Sequence, residues 1–362
     1  MTDDRPSELV HDEERAETST RRRRGAEARD RQDDVWQATR RSALEAGVAR
    51  DHFYENHPVT RNEAEVATPP LQDAYATCEG VVVHRDPGTC LLGAFRIGKT
   101  TAITVIVRQL SKTFPKLPVG IAVAKHHDNF TQGTFFSDLL HDFDHAGALS
   151  GTAQQKRLRV FNMMLAQARQ MGSDRYLLIV DEGQNWGELQ WTWLRDFAND
   201  LHAKHIRLIT LTFGQTTETQ MLRQRLLSRG RTDLVGRFLL SPREFRGLRD
   251  EAELRTTLEA YDDPQQCEYP VGSGISYSEF YMPVSWRGGW RMAHEATAMW
   301  TEFKNVAARS NHAANNIGMN WIGGAIRNFL FSGMADDGVG FRGTPQSWAI
   351  AVQATGYEST LF

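Results

Sequence analysis

Gly93-Ala94-Phe95-Arg96-Ile97-Gly98-Lys99-Thr100 is the stretch on which the fold turns. A glycine, four residues, a second glycine, lysine and a hydroxyl is the spacing of a phosphate-binding loop. Glycine lets the backbone wrap closely, so that successive N–H groups point at phosphate oxygens. A helix beginning at the loop's end adds the positive end of its dipole. In this reading Lys99 reaches the β- and γ-phosphates of ATP and the Thr100 hydroxyl holds Mg²⁺. Gly93, Arg96, Ile97, Gly98 and Thr101 complete the loop around the nucleotide. The pattern alone occurs by chance. Its context, apolar Leu91-Leu92 before and helix-forming sequence after, is what gives it weight.

Outward from the loop, the chain alternates. Thr89–Ala94 reads as a buried strand and Thr100–Phe114 as a helix. Val119–Ala124 is a second strand, followed by helical patterns at Phe135–Phe143 and Ala153–Met171. Tyr176–Val180 is a fully apolar strand, Leu189–Ala203 a helix, and Ile206–Phe213 another buried strand. Strands alternating with helices imply an α/β fold with a parallel sheet covered on both faces. Beyond Phe245 the pattern turns helical, with a Gly/Tyr/Pro-rich stretch at Tyr269–Gly289, and predicts a smaller lid domain.

The second chemical signal is Tyr176-Leu177-Leu178-Ile179-Val180-Asp181-Glu182. An apolar strand ends in two carboxylates, at the end of a parallel sheet where ligands sit. Asp181 suits a Mg²⁺-water contact, since a hard cation takes oxygen ligands. Glu182 suits the water that attacks the γ-phosphate. A third strand ends at Phe213-Gly214-Gln215. Gln215 either bonds the γ-phosphate or attacking water, or caps the following helix. Arginines follow at 223, 225, 229, 231 and 237. In an oligomeric ATPase an arginine from a neighbouring subunit commonly neutralises the transferred phosphoryl group. Arg237 and then Arg231 are the candidates, against the plainer reading of a solvated helix face.

The bulk numbers set limits. With 362 residues, 40% hydrophobic and 24% charged, the chain is long enough for one large or two modest domains. No apolar run approaches a membrane span, and no secretory signal opens the chain. Three scattered cysteines, Cys78, Cys90 and Cys267, make neither a disulfide framework nor a zinc cluster, and point to a reducing cytoplasm. A net charge of −3 argues against nucleic-acid binding by bulk charge, while leaving a local basic stripe open. Residues 1–34 read as a disordered charged tail with the block Arg21-Arg22-Arg23-Arg24. That block is either solvated or an arm for DNA phosphates or an acidic partner. Residues 35–70 read as an N-terminal helix and connector, 71–244 as the ATPase core and 245–362 as the lid and C-terminal region.

Taken together these elements resemble the AAA+ ATPases, and more narrowly the TniB/TnsC-type transposition regulators. The carrying residues are Gly93 through Thr101, Leu178-Ile179-Val180-Asp181-Glu182, Phe213-Gly214-Gln215-Thr216, Leu234-Val235-Gly236-Arg237-Phe238 and Phe245-Arg246-Gly247-Leu248-Arg249-Asp250. The resemblance covers roughly residues 71 to 261 and implies an AAA+ P-loop domain with a helical lid. It implies a homo-oligomer, ring or filament, that assembles with ATP on duplex DNA without reading its sequence. It further implies a transposase and a target-site selector as partners. For DNA contact the candidates are Lys125 after the second strand and Lys156, Arg157 and Arg159 on the helix near Ala153. The other reading from this sequence is a nucleotide switch that organises a protein assembly, in secretion or anti-phage signalling, without DNA. A small-molecule kinase fits less well, because the Asp181-Glu182 pair suits activation of water.

Overall fold

The computed structural model describes residues 34–361. The arginine block at 21–24, with most of the expected tail, lies outside the described residues. Five strands, β1 (Gly88–Gly93), β2 (Val119–Val123), β3 (Arg175–Asp181), β4 (Arg207–Gln215) and β5 (Arg243–Glu244), form one sheet in the order β2-β3-β4-β1-β5. All neighbours are parallel. The chain is therefore an α/β AAA+ P-loop fold with an added C-terminal helical region. The two-residue β5 is too short for periodicity to reveal it.

Helices cover both faces because side chains alternate along each strand. Leu91, Leu177, Ile179, Ile209, Leu211 and Phe213 point to one face. There they meet α3 (Pro69–His84) and α4 (Lys99–Thr113). Cys90, Leu92, Leu178, Val180 and Leu208 point to the other. They meet α5 (Gln132–Asp142), α6 (Ala153–Gln170), α7 (Glu188–His202), α8 (Thr216–Ser228) and α9 (Thr232–Phe238). Trp186 and Trp191 are packed in this second core beside Phe135 and Phe238.

Helix α3 opens at Pro69-Pro70, inside the segment that the sequence reading assigns to the connector. Pro69 and Pro70 occupy its first turn, where a missing N–H costs nothing, and the Thr68 hydroxyl accepts the Leu71 N–H.

A third core holds the C-terminal helices, including α10 (Glu251–Asp262), α13 (Ala296–Arg309), α14 (Met319–Gly333) and α15 (Pro345–Gln353). Within the stretch expected to be irregular lie two short helices, α11 (Tyr277–Tyr281) and α12 (Pro283–Arg287). The N-terminal segment packs into this same core. Helix α1, residues 34–44, is followed by α2 (Val48–Asn56). Ala43, Val59 and Val66 are buried among side chains of that core. Arg40 pairs with Glu279 and donates to the Gly274 carbonyl. His57 anchors the connector. It is fully buried among Tyr269, Tyr277, Phe280 and Tyr281, at 4.6–4.8 Å between ring centres. Its Nδ1 accepts the Val59 N–H at 3.1 Å. No described helix is long and apolar enough to cross a membrane.

Candidate nucleotide site

The C-terminal ends of β1, β3 and β4 lie side by side, and the sequence-predicted chemistry collects there. The loop after β1 turns into α4 through Gly98, whose φ of 110° favours glycine. Arg96 also holds a left-handed backbone, and its guanidinium lies over Phe95 and over Trp321 of α14. Lys99, only 6% exposed, donates to the carbonyls of Gly93 at 3.4 Å and Ala94 at 3.1 Å. A buried ammonium needs such partners. They hold it at the mouth of the loop, among carbonyls that a phosphate oxygen would replace.

Thr100 donates to Oδ2 of Asp181 at 3.2 Å, while Oδ1 of Asp181 accepts the Glu182 N–H at 2.9 Å. Burial pushes the Asp181 carboxyl above its ordinary range, and the Glu182 N–H, Thr100 and Lys99 offset this only in part. A desolvated carboxylate beside a hydroxyl fits a hard divalent cation, whose charge would restore the ionised form.

Glu182 has a left-handed backbone, φ 53° and ψ 36°, and its side chain lines the same cavity as Lys99 and Thr100. That cavity has a volume of about 360 Å³. Loop residues Arg96 to Thr101 line it together with the apolar side chains of Val59, Val66, Leu71, Phe245 and Met319. These apolar residues come from the N-terminal connector, α3, the segment after β5 and α14. Their convergence was not legible in the sequence, because no motif marks residues so far apart as one surface.

The remaining candidates lie elsewhere. Gln215 stands at the N-cap of α8, but its side chain makes no capping bond. Its backbone N–H donates to Oε1 of Gln184 at 3.1 Å. Gln184, absent from the sequence-derived candidates, also donates to Glu182 at 2.5 Å. Its position two residues after the carboxylate pair was the available signal. Arg246 lines the cavity wall and is held by Glu253 at 2.7 Å and Asp73 at 2.8 Å.

Neither Arg237 nor Arg231 lines the cavity of its own chain. Arg237 donates to Asn199 at 2.7 Å and to the Arg195 carbonyl, beside Pro87 and Arg207 at the opposite end of the sheet. Arg231 is held between Glu188 at 2.6 Å and Asp233 at 3.2 Å. Hydrogen bonding to Arg231 in turn pulls the Asp233 carboxyl down to about 2.

The four basic residues expected to face DNA do not form a free stripe. Lys125 pairs with Asp142 at 2.9 Å, and Arg157 pairs with Asp200. Lys156 donates to the Ser137 hydroxyl at 3.2 Å, and Arg159 to the Gly147 carbonyl at 2.8 Å. The expectation missed these partners because each is far away in sequence or is a backbone oxygen.

Comparison with known proteins agrees with the geometry. Residues 84–222 match the family model of the AAA domain, a span holding the loop, both carboxylates and Gln215. No curated protein matches the chain. Among solved structures, the ORC2 protein of Aeropyrum pernix, in ADPNP and ADP complexes, shares the fold. Its TM-score is 0.53 at 14% identity, over 79% of this chain and 67% of that one. Domain III of the Thermotoga maritima replication initiation protein DnaA gives 0.42 at 16% identity, over 80% of this chain and 94% of that one. Drosophila ORC bound to DNA gives 0.41 at 12% identity, over 90% and 66%.

Proposed function

We propose that this chain is an ATP-hydrolysing AAA+ regulator of DNA transposition. It would assemble as a homo-oligomer with ATP on duplex DNA and recruit a transposase at a selected target, in the cytoplasm. One observation carries the hydrolytic part: Lys99, Thr100 and Glu182 line a single cavity, and Asp181 accepts the hydroxyl of Thr100 although 81 positions separate the two. Lys99 and the loop N–H groups would bind the phosphates, and Thr100 and Asp181 would hold Mg²⁺. The ion's chemistry is to spread the charge of the phosphate oxygens. Glu182 orients a water and takes its proton. Arg237 is the better candidate to act on a neighbour's nucleotide, because its partners are neutral whereas carboxylates hold Arg231.

The transposition part rests on the resemblance of the motifs from Gly93 to Asp250. A second reading, a nucleotide switch that organises proteins without DNA, is favoured by one observation. The cations at 125, 156, 157 and 159 all have partners within the chain. Imaging with a non-hydrolysable ATP analogue, with and without duplex DNA, decides between them. Filaments or rings on DNA support the first reading. Assembly that ignores DNA supports the second, and monomers under both conditions refute both.

A further inference from the structure

Gln184 stands beside the candidate site with no part in the chemistry described above. It sits in a one-turn helix, Gly183–Asn185, between β3 and α7. That turn is pinned on both sides. Asn185 donates its side-chain N–H to the Ala124 carbonyl just past β2, at 2.9 Å. Gln184 reaches the other way, and its Oε1 accepts the backbone N–H of Gln215 at the end of β4. The neighbouring Gly214 makes room for it: a Cβ there would lie 2.9 Å from that oxygen and 2.4 Å from the Thr219 hydroxyl.

With its oxygen fixed, the direction of the amide's nitrogen is fixed too. That nitrogen donates to Oε2 of Glu182 at 2.5 Å, while Oε1 of Glu182 accepts no hydrogen bond among the described residues. One carboxylate oxygen is thus tied and the other has no such partner, on a residue that lines the cavity. Glu182 also holds a left-handed backbone, which a residue with a side chain keeps only where its surroundings enforce it.

We propose that Gln184 is a positioning residue for hydrolysis, a two-ended clamp that fixes the Glu182 carboxylate against the end of β4. The proposal rests on the hydrolytic reading above. In that step a water oxygen bonds to the γ-phosphorus as the bond to the ADP oxygen breaks. The water proton passes to the open oxygen of Glu182, leaving ADP and inorganic phosphate. A water held by one free oxygen is well aimed only if the other end of the carboxylate cannot rotate. Gln215 takes part through its backbone N–H, so its side chain is free for another task.

The test compares Gln184→Leu, Gln184→Glu and Gln215→Ala in the full-length protein, with Glu182→Gln as reference. Leucine fills the space and makes neither bond. Steady-state ATPase should show kcat reduced roughly 10- to 100-fold, the scale of a misplaced catalytic group. The dissociation constant of a fluorescent non-hydrolysable ATP analogue should stay at the wild-type value. Glutamate keeps an oxygen for the Gln215 N–H but sets a second negative charge against Glu182, and should lose kcat with binding retained. Gln215→Ala leaves the clamp intact, so its losses should not reproduce those of Gln184→Leu. Wild-type or faster turnover by Gln184→Leu, beside an inactive Glu182→Gln, overturns the clamp alone. Should Gln184→Leu fail to melt cooperatively, wild-type turnover by Gln184→Glu overturns it instead. Turnover retained by Glu182→Gln overturns the clamp and the hydrolytic reading together.

Discussion

The Thr100 hydroxyl meets the Oδ2 of Asp181 at 3.2 Å, joining the first turn of α4 to the end of β3. The same carboxyl is buried and shifted upward, first by desolvation. A carboxyl that protonates more readily folded than unfolded costs stability when it is ionised, at pH values above its folded range. Asp181→Asn removes that charge and keeps the shape. In the absence of nucleotide and metal, the variant should therefore melt at a higher temperature than the wild type near pH 7. It should also lose the part of nucleotide affinity that depends on Mg²⁺, measured by calorimetry with and without chelator. A variant that melts lower and still responds to Mg²⁺ would contradict both the electrostatics and the cation site.

Among the described residues Lys99 hydrogen-bonds to two loop carbonyls, Gly93 and Ala94, and its removal leaves buried Asp181 its bonds from Thr100 and the Glu182 N–H. Lys99→Ala should accordingly fold and should fail chiefly in binding. Charge-assisted hydrogen bonds contribute about 1.5–3 kcal/mol each, so the loss of ATP affinity should be at least roughly tenfold and nearer a hundredfold. Equilibrium binding of a fluorescent ATP analogue reads this directly. Wild-type affinity in the variant would remove the P-loop assignment.

These two sites were legible because each is a local pattern imposed by the backbone. Gly93 to Thr100 is a tight strand-to-helix turn within eight residues, and Tyr176 to Glu182 is an apolar strand ending in carboxylates. The order of helices and strands followed from the same periodicities. What escaped notice depends on long-range contact. Val59 and Val66 line the cavity from a segment whose His57 packs among Tyr269, Tyr277, Phe280 and Tyr281, all more than 200 residues away. Lys125 and Arg157 read as free cations because Asp142 and Asp200 come to them only in the fold. Pro69-Pro70 read as a connector, since the first turn of a helix tolerates what its interior forbids.

The His57 cage makes a pH prediction. Burial lowers its pKa from 6.5 to about 3, so the folded protein keeps it neutral where the unfolded chain takes up a proton. Its contribution to stability is complete above pH 6.5 and falls as the pH drops from 6.5 toward 3. The slope from this one group is about 1.4 kcal/mol per pH unit once the unfolded histidine is protonated. Denaturant titrations between pH 7 and 5 should show it. His57→Asn keeps an acceptor for the Val59 N–H and cannot titrate, so its stability should depend on pH less steeply by that amount, whatever its absolute value. An identical slope in the two proteins would mean that His57 is protonated inside its cage.

Arg237 supplies the test of completion by a neighbour. Within one chain it lies beside Pro87 and Arg207, at the opposite end of the sheet from Lys99, and bonds Asn199. If it acts on a neighbour's nucleotide, Arg237→Ala should bind ATP normally and lose hydrolysis by on the order of 10³-fold or more. Glu182→Gln should be inactive for a different reason, since its own sites lack the group that takes the water proton. Mixing the two inactive proteins places an intact Glu182 from one beside an intact Arg237 from the other. Activity should then return, rising with the fraction of mixed interfaces to a maximum near equal proportions. A mixture as inactive as its components would place the effect of Arg237 inside its own subunit, through the Asn199 contact that ties α9 to α7.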